Sequence, residues 1–257
     1  MNRQKNIAVI AGLSVLVGFA AATAGYAVLR LRQSARLAHK GHPFDKLARA
    51  EGARLLVVGD STAKGTGASG PECSLPGLLC RANPSLTVVN HGQDGARFED
   101  FLAQLEADER FDAVLILGGG NDVLRMTRDA ALRDSIRRVA QRARVRSDLV
   151  VFMPPGNIGN VSFFLPPWSW WMTYRSRRLH AIVSEEARAN GALYVSLFRD
   201  RDDDPFARHP KRMSARDGLH PGDAGYELWQ RELEAQVQLS AKLRKIGRSA
   251  AARGPAF

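Results

Sequence analysis

The chain has 257 residues, 45% hydrophobic and 25% charged, with a formal net charge of +11 and a pI near 10.3. That balance excludes a disordered or fibrous protein and leaves room for one domain with a sizeable core. The positive charge suits nucleic acid, an anionic membrane or an arginine-rich proteome. The basic residues are scattered and no nucleic-acid-binding motif accompanies them, so nucleic acid is not expected as a partner.

Ile7 to Leu29 carries no charged residue, and its 23 positions span about 34 Å as a helix, against a hydrocarbon core of roughly 30 Å. Residues 1–30 are therefore expected to form a single N-terminal membrane anchor. A cleaved signal peptide is the rival, since Arg3 and Lys5 precede the run and Ala22-Thr23-Ala24 resembles a cleavage site, but the run is long for one. Arg30, Arg32, Arg36 and Lys40 follow it, so both flanks are positive and the positive-inside rule does not fix the side. A periplasmic or otherwise extracytoplasmic domain is the working expectation. Residues 31–52 read as a basic, Ala-rich stalk interrupted by Pro43, residues 53–244 as the folded domain and residues 245–257 as a basic tail that frays.

Leu55 to Val58 is an uninterrupted apolar run of the kind that makes a buried central strand, and Gly59 ends it at a turn presenting Ser61. Thr62 to Ser74 reads as a loop and Leu75 to Arg81 as a short helix. Leu86 to Val89 predicts a second strand, followed by the two-glycine loop His91 to Gly95. Phe98, Phe101, Leu102 and Leu105 fall at helical spacing within Phe98 to Ala107. Ala113 to Leu117 predicts the third strand, ending in Gly118-Gly119-Gly120-Asn121-Asp122. A helix over Arg128 to Arg144 precedes a fourth strand at Leu149 to Met153, stopped by Pro154-Pro155. A helix over Tyr174 to Ala189 precedes a fifth strand at Leu193 to Leu197, and a last helix runs from Pro221 to about Leu243. Continuous apolar strands alternating with helices point to an α/β fold: a three-layer α/β/α sandwich around a parallel sheet of about five strands.

Cys73 and Cys80 are the two cysteines, readable either as a small-loop disulfide or as two reduced thiols. His39, His42, His91, His180 and His209 have no metal-ligand spacing, so neither a metal nor another cofactor is expected.

Four short motifs stand at predicted strand ends or just before the last helix: Gly59-Asp60-Ser61, Gly95, Gly119-Gly120-Asn121-Asp122 and Asp217-Gly218-Leu219-His220-Pro221. Each alone is an ordinary turn or capping sequence. Together and in this order they resemble the SGNH hydrolases, the GDSL-like lipase and esterase family, over about Arg54 to Trp229. The resemblance implies a flavodoxin-like sandwich. It also implies that Ser61 is the nucleophile, His220 its base, Asp217 the partner that orients the imidazole, and Ser61, Gly95 and Asn121 the oxyanion hole. Thr62 stands where the family's nickname has leucine, and Asp122 has a structural part in the family. No G-x-S-x-G surrounds any serine, which argues against an α/β-hydrolase.

Asn157 to Tyr174 holds three of the four tryptophans, and Phe163, Phe164, Trp168 and Trp171 are candidate substrate contacts on the rim that carries Ser61. The same stretch can instead dip into a membrane interface or pack as a lid on the core. The function expected is a membrane-anchored serine hydrolase cleaving small-molecule or lipid acyl esters through an acyl-enzyme intermediate. The alternative is a catalytically silent scaffold protein of the same fold at the membrane.

Overall fold

The computed structural model of the chain describes residues 42–46, 52–106 and 108–253, together with residues 6, 7, 10, 13, 14, 17–26, 28, 29 and 32. Five parallel strands, β1 (Arg54–Gly59), β2 (Thr87–Asn90), β3 (Ala113–Leu117), β4 (Val150–Met153) and β5 (Leu193–Tyr194), form one sheet in the order β2-β1-β3-β4-β5. The chain steps from β1 outward to β2, then returns to the other side of β1 as β3. A crevice therefore opens between the loops that follow β1 and β3, where such sheets hold their ligands.

Alternation along the strands divides the core into two layers. Leu56 and Val58 of β1 join Ile116 and Phe152 on one face, beneath the helices α4 (Asp129–Arg146) and α5 (Trp168–Ala189). Leu55, Val57, Leu115 and Met153 point the other way, against α2 (Leu75–Ala82), α6 (Asp223–Val237) and α7 (Leu239–Arg253). Two short helices carry site residues, α1 (Ser61–Lys64) after β1 and α3 (Gly120–Leu124) after β3, and two further single-turn helices, Pro205–Arg208 and Pro210–Met213, precede α6. The sandwich and its five strands agree with the expectation.

Several boundaries differ for identifiable reasons. Ser61 to Lys64 is helical where the sequence reads as loop, because the Asp60 carboxylate caps the Thr62 N–H. The segment expected as an α-helix over 98–107 is a 3-10 turn, Asp100–Leu105, with residue 107 outside the described residues. Its path is set by side chains: Gln104 is pulled to Gly59, and the Arg146 guanidinium takes the Leu105 and Glu106 carbonyls. β5 stops at Tyr194 because, although the Val195 N–H still reaches the Phe152 carbonyl at 2.9 Å, the next donor on β4 would be Pro154, which has no N–H.

The last helix is two. Gln238 adopts a left-handed conformation (φ 51°), and the Glu234 carboxylate accepts the Ser240 N–H and hydroxyl at the start of α7. α7 carries the backbone helical through residue 253, into the segment expected to fray, and residues 254–257 lie outside the described residues. Cys73 and Cys80 are both free thiols.

Residues 17–26 are helical, and Thr23 among them is buried. The Trp168 indole N–H donates to the Ala20 carbonyl at 3.1 Å, which places this helix against the start of α5. Among the described residues no helix is long and apolar enough to cross a membrane. The span expected over 7–29 lies in part outside the described residues, as does most of the stalk expected over 31–52.

Candidate active site

Ser61 is the first residue of α1, raised off the C-terminal end of β1, an inner strand of the sheet. Gly59 is required there. A Cβ at that position would sit 1.8 Å from the Leu117 carbonyl oxygen of the neighbouring strand, so only glycine lets β1 run so close to β3 before the turn. Gln104 clamps the same residue, accepting its N–H at 2.7 Å and donating to its carbonyl at 3.0 Å.

Asp60 fixes the turn from the other side. One carboxylate oxygen accepts the Thr62 N–H and hydroxyl at 2.8 and 2.7 Å, and the other accepts the Gly119 N–H at 3.1 Å. Burial drives its pKa up, against these hydrogen bonds and the nearby His220, which pull it down. The carboxylate thus ties the Ser61 turn to the loop that carries Asn121.

Asp217 and His220 arrive from the far end of the chain on a turn just before α6. Gly218 takes a left-handed φ of 70°, and the Leu219 and His220 N–H groups donate to one Asp217 oxygen at 3.0 and 3.1 Å. The other Asp217 oxygen lies 2.6 Å from His220 Nδ1, and His220 Nε2 lies 2.9 Å from Ser61 Oγ. An Nδ1–H pointed at the carboxylate leaves the Nε2 lone pair facing the serine hydroxyl, the tautomer that proton abstraction requires. The three side chains are nearly closed to solvent.

The loop after β2 completes the surroundings. Gly95 has φ 76°, a conformation glycine adopts without strain. The loop is held by the Gln93 N–H on the Gly59 carbonyl at 3.1 Å, and by Lys64, whose ammonium pairs with Asp94. The Asn121 side-chain amide donates one N–H to the Ala96 carbonyl at 3.0 Å, leaving its second N–H for another acceptor. Asn121 lines the cleft beside Ser61 and His220, and Gly95 immediately precedes Ala96, whose carbonyl Asn121 holds. Among the described residues, neither the Ser61 nor the Gly95 N–H donates to a protein acceptor.

Asp122 is buried next to Asn121, accepts the Phe98 N–H at 3.0 Å and has its pKa pushed up to about 6, mainly by burial. It buttresses the loop and does not line the cleft. His180 is held neutral: burial lowers its pKa to about 4, with Nε2 2.8 Å from the Pro155 carbonyl and Nδ1 2.6 Å from the Tyr194 hydroxyl. This buried strut fixes Pro155, one wall of the cleft.

The cleft beside Ser61 is lined by Pro155, Ile158, Val161, Phe206, Leu219 and Trp229, with an Arg199–Glu232 ion pair also on its wall. Pro155, Phe206 and Trp229 come from segments that carry no motif, and sequence reasoning missed them as part of the site. Asp60 was legible only as a motif residue, although an Asp followed by Ser-Thr is a helix-start signal that marks its capping role.

The aromatic stretch is a correction. None of Phe163, Phe164, Trp168 and Trp171 lines the cleft around Ser61. Phe163 and Phe164 pack on each other within the core, ring centroids 4.8 Å apart, and Trp168 lies against the same core. Trp171 stacks on Tyr174 at the surface, 5.4 Å between centroids. The reason is local: α5 begins at Trp168, six residues earlier than the sequence suggests, so helical spacing sends Trp168 and Met172 inward and Trp170, Trp171 and Tyr174 outward. Among the described residues, no group of three or more His, Cys, Asp or Glu side chains is placed to hold a metal ion.

Comparison with known proteins bears on the family and the fold. The family described as GDSL-like Lipase/Acylhydrolase matches the chain over residues 57–228. A member of the lipolytic protein G-D-S-L family from Veillonella parvula superposes with a TM-score of 0.59 at 12% identity, covering 72% of this chain and 98% of its own. A psychrotrophic esterase from a Pseudoalteromonas species gives 0.55 at 18% identity, covering 73% and 97%. An acetylxylan esterase from Geobacillus stearothermophilus gives 0.53 at 22% identity, covering 74% and 96%. These likenesses are of fold. Comparison with curated proteins finds no match.

Proposed function

Because the chain belongs to the GDSL-like lipase/acylhydrolase family, we propose that it is a membrane-anchored serine hydrolase of acyl esters, working through an acyl-enzyme intermediate. The observation that carries the proposal is the unbroken chain of contacts from Ser61 Oγ to His220 Nε2 at 2.9 Å and from His220 Nδ1 to Asp217 at 2.6 Å.

In the first step Ser61 Oγ attacks the ester carbonyl carbon while its proton passes to His220 Nε2. Asp217 holds the imidazole in place and stabilises the imidazolium. Negative charge gathers on the former carbonyl oxygen, where the Ser61 and Gly95 N–H groups and the free Asn121 amide N–H are the donors at hand. The carbonyl then re-forms, the bond to the alcohol oxygen breaks, and Nε2–H protonates that oxygen. Water attacks the acyl-serine in the second step, gives its proton to His220, and the acid leaves with Ser61 restored.

The cleft favours an apolar acyl group of modest length. Its walls are mainly apolar, and its cavity of about 90 Å³ compares with about 10–15 Å³ needed for one water on the same measure. Each buried methylene contributes about 0.8 kcal/mol. Rates on p-nitrophenyl esters are therefore expected to rise from acetyl to butyryl or hexanoyl and to fall for palmitoyl. Anchoring rests on the uncharged run 7–29, with its basic flanks, and an extracytoplasmic site remains part of the proposal.

A fluorophosphonate probe tests the chemistry directly. The folded chain is expected to label, and Ser61→Ala is expected to abolish labelling and lower ester turnover by about 10⁴-fold or more. Folded wild-type protein that neither labels nor cleaves the ester series would replace the enzyme with the scaffold reading.

A further inference from the structure

Fifteen large apolar side chains stand exposed among the described residues, and twelve of them come from two segments. Eight lie between Ile7 and Leu29, and four, Leu165, Trp170, Trp171 and Tyr174, lie at or just before the first turns of α5. Exposed apolar residues scattered singly over a surface need no explanation, whereas a contiguous group does. These two segments meet, since the Trp168 indole donates to the Ala20 carbonyl and Thr23 is buried beside the domain.

The composition of the α5 group is informative. Trp170 is 70% exposed, and it shares the group with Trp171, Tyr174 and Leu165, at 45%, 50% and 46%. Three of the four are amphipathic aromatics, whose rings favour the boundary layer of a bilayer while an N–H or O–H stays hydrated. A surface made to bind a second copy would be expected to bury such rings in a complementary pocket. Here the adjoining element itself carries eight exposed apolar side chains between Ile7 and Leu29, so the two segments together offer apolar surface to a bilayer.

A groove connects the group to the cleft. It is lined by Leu165, Trp170 and Thr173 at its outer end, and it shares Asn157 and Val161 with the wall of the Ser61 cleft. Arg201 also lines it, and Arg177 and Arg178 lie on α5 one turn beyond Tyr174. Arg177 pairs with Asp200 and Arg178 with Asp129, while 60% and 43% of their side chains remain exposed. A guanidinium in that position can share its donors with lipid phosphate.

We propose that Leu165, Trp170, Trp171 and Tyr174 seat in the interfacial layer of a lipid bilayer beside the N-terminal helix, turning the groove and the catalytic cleft toward the membrane. The seat fixes the orientation of the domain on the bilayer. It directs Ser61 to esters carried in or at the bilayer in preference to those dissolved in bulk water. The inference rests on the anchored-hydrolase reading for its consequence in catalysis, and on the exposed aromatics for the seat itself.

Two measurements on the full chain, reconstituted in vesicles of phosphatidylcholine with a minority of phosphatidylglycerol, test it separately. Lipids brominated along the acyl chain quench tryptophans that reach them. The wild type is expected to be strongly quenched and W170F/W171F to lose most of the quenched emission, because Trp229 lies in the core and Trp168 against it. Equal fractional quenching in the two proteins overturns the seat. In the second measurement, W170S/W171S is expected to cleave a vesicle-borne ester about tenfold more slowly, the factor that ~1.4 kcal/mol of lost orientation represents, with its rate on a soluble butyrate ester unchanged. Equal loss on both substrates would make these residues part of the cleft and overturn the proposal. So would a detergent-stable dimer of the wild type that W170S/W171S dissociates. An inactive wild type that still shows the quenching difference would refute the hydrolase reading and leave the seat standing.

Discussion

The Ser61 turn and the stretch from Asn157 to Tyr174 both leave the sheet at the C-terminal end of a strand, yet they are held in opposite ways. At Ser61 the constraint is polar. Gly59 is clamped by Gln104, Asp60 accepts three hydrogen bonds, and the Tyr226 hydroxyl takes the Thr66 carbonyl at 2.8 Å. In the second region Asn157 and Asn160 tie only the start of the loop, to Arg199 and Asp204, and from Phe163 on the constraint is apolar: Phe163 and Phe164 are driven into the core while Trp170, Trp171 and Tyr174 are left outside. Hydrogen bonds hold a hydroxyl to within a fraction of an ångström, as proton transfer demands. Packing alone anchors a segment while leaving its outer face free to meet something else.

Truncating the two kinds of aromatic in the second region is the strongest way to break this comparison. Phe163 is 0% exposed and packs against Phe164 with the rings tilted by 59°, so Phe163→Ala should cost about 3–5 kcal/mol in chemical denaturation. Trp171, though close in sequence and larger, should cost within about 0.5 kcal/mol as Trp171→Ala, since its ring meets mainly Tyr174 at the surface. Similar losses from both substitutions would mean that the outer aromatics are structural and that the division drawn here is wrong.

The difference also explains what the sequence allowed to be read. Ser61, Asp217 and His220 were legible because each sits in a turn whose residue types are dictated locally, by the glycine at 59 and the Asp-x-x-His spacing. The strand runs were legible because a strand buried on both faces must be apolar throughout. The aromatic stretch was not, because eighteen residues of mixed Phe, Trp, Pro and Ser do not reveal where a helix begins. Once α5 starts at Trp168 the facing of each ring follows from helical geometry. The Leu193–Leu197 run failed for a related reason. Its apolar pattern continues, but the register sets it against Pro154 on β4, which has no N–H to give, and that register is visible only in the fold. The cleft walls, Phe206 and Trp229 among them, read as ordinary core, and only the fold brings them beside Ser61.

A smaller effect, confined to the polar region, concerns the buried carboxylate next to Asn121. The Asp122 pKa is pushed up to about 6 by burial and by neighbouring Asp60, while the Phe98 N–H and Arg97 pull it back. Its unfolded value is near 3.9, so between about pH 4 and 6 the folded state holds more of this proton than the unfolded one. Stability from this group is therefore greatest below about pH 4 and declines as pH rises to about 6, by about 3 kcal/mol in all at 1.36 kcal/mol per unit. His180 acts in the opposite sense. With its folded pKa lowered to about 4, it contributes stability that grows as pH rises from about 4 to its unfolded value near 6.5. The two slopes offset each other in the wild type. Asp122→Asn removes the falling one while keeping an acceptor for Phe98, so its unfolding free energy should climb more steeply between pH 4 and 6. The gap between variant and wild type should widen across that window by up to about 3 kcal/mol. Urea titrations of both proteins at a series of pH values measure that gap. Parallel curves would show that Asp122 is as free to ionise in the folded chain as in the unfolded one, and that the loop beside Asn121 is more open to water than its buried neighbours imply.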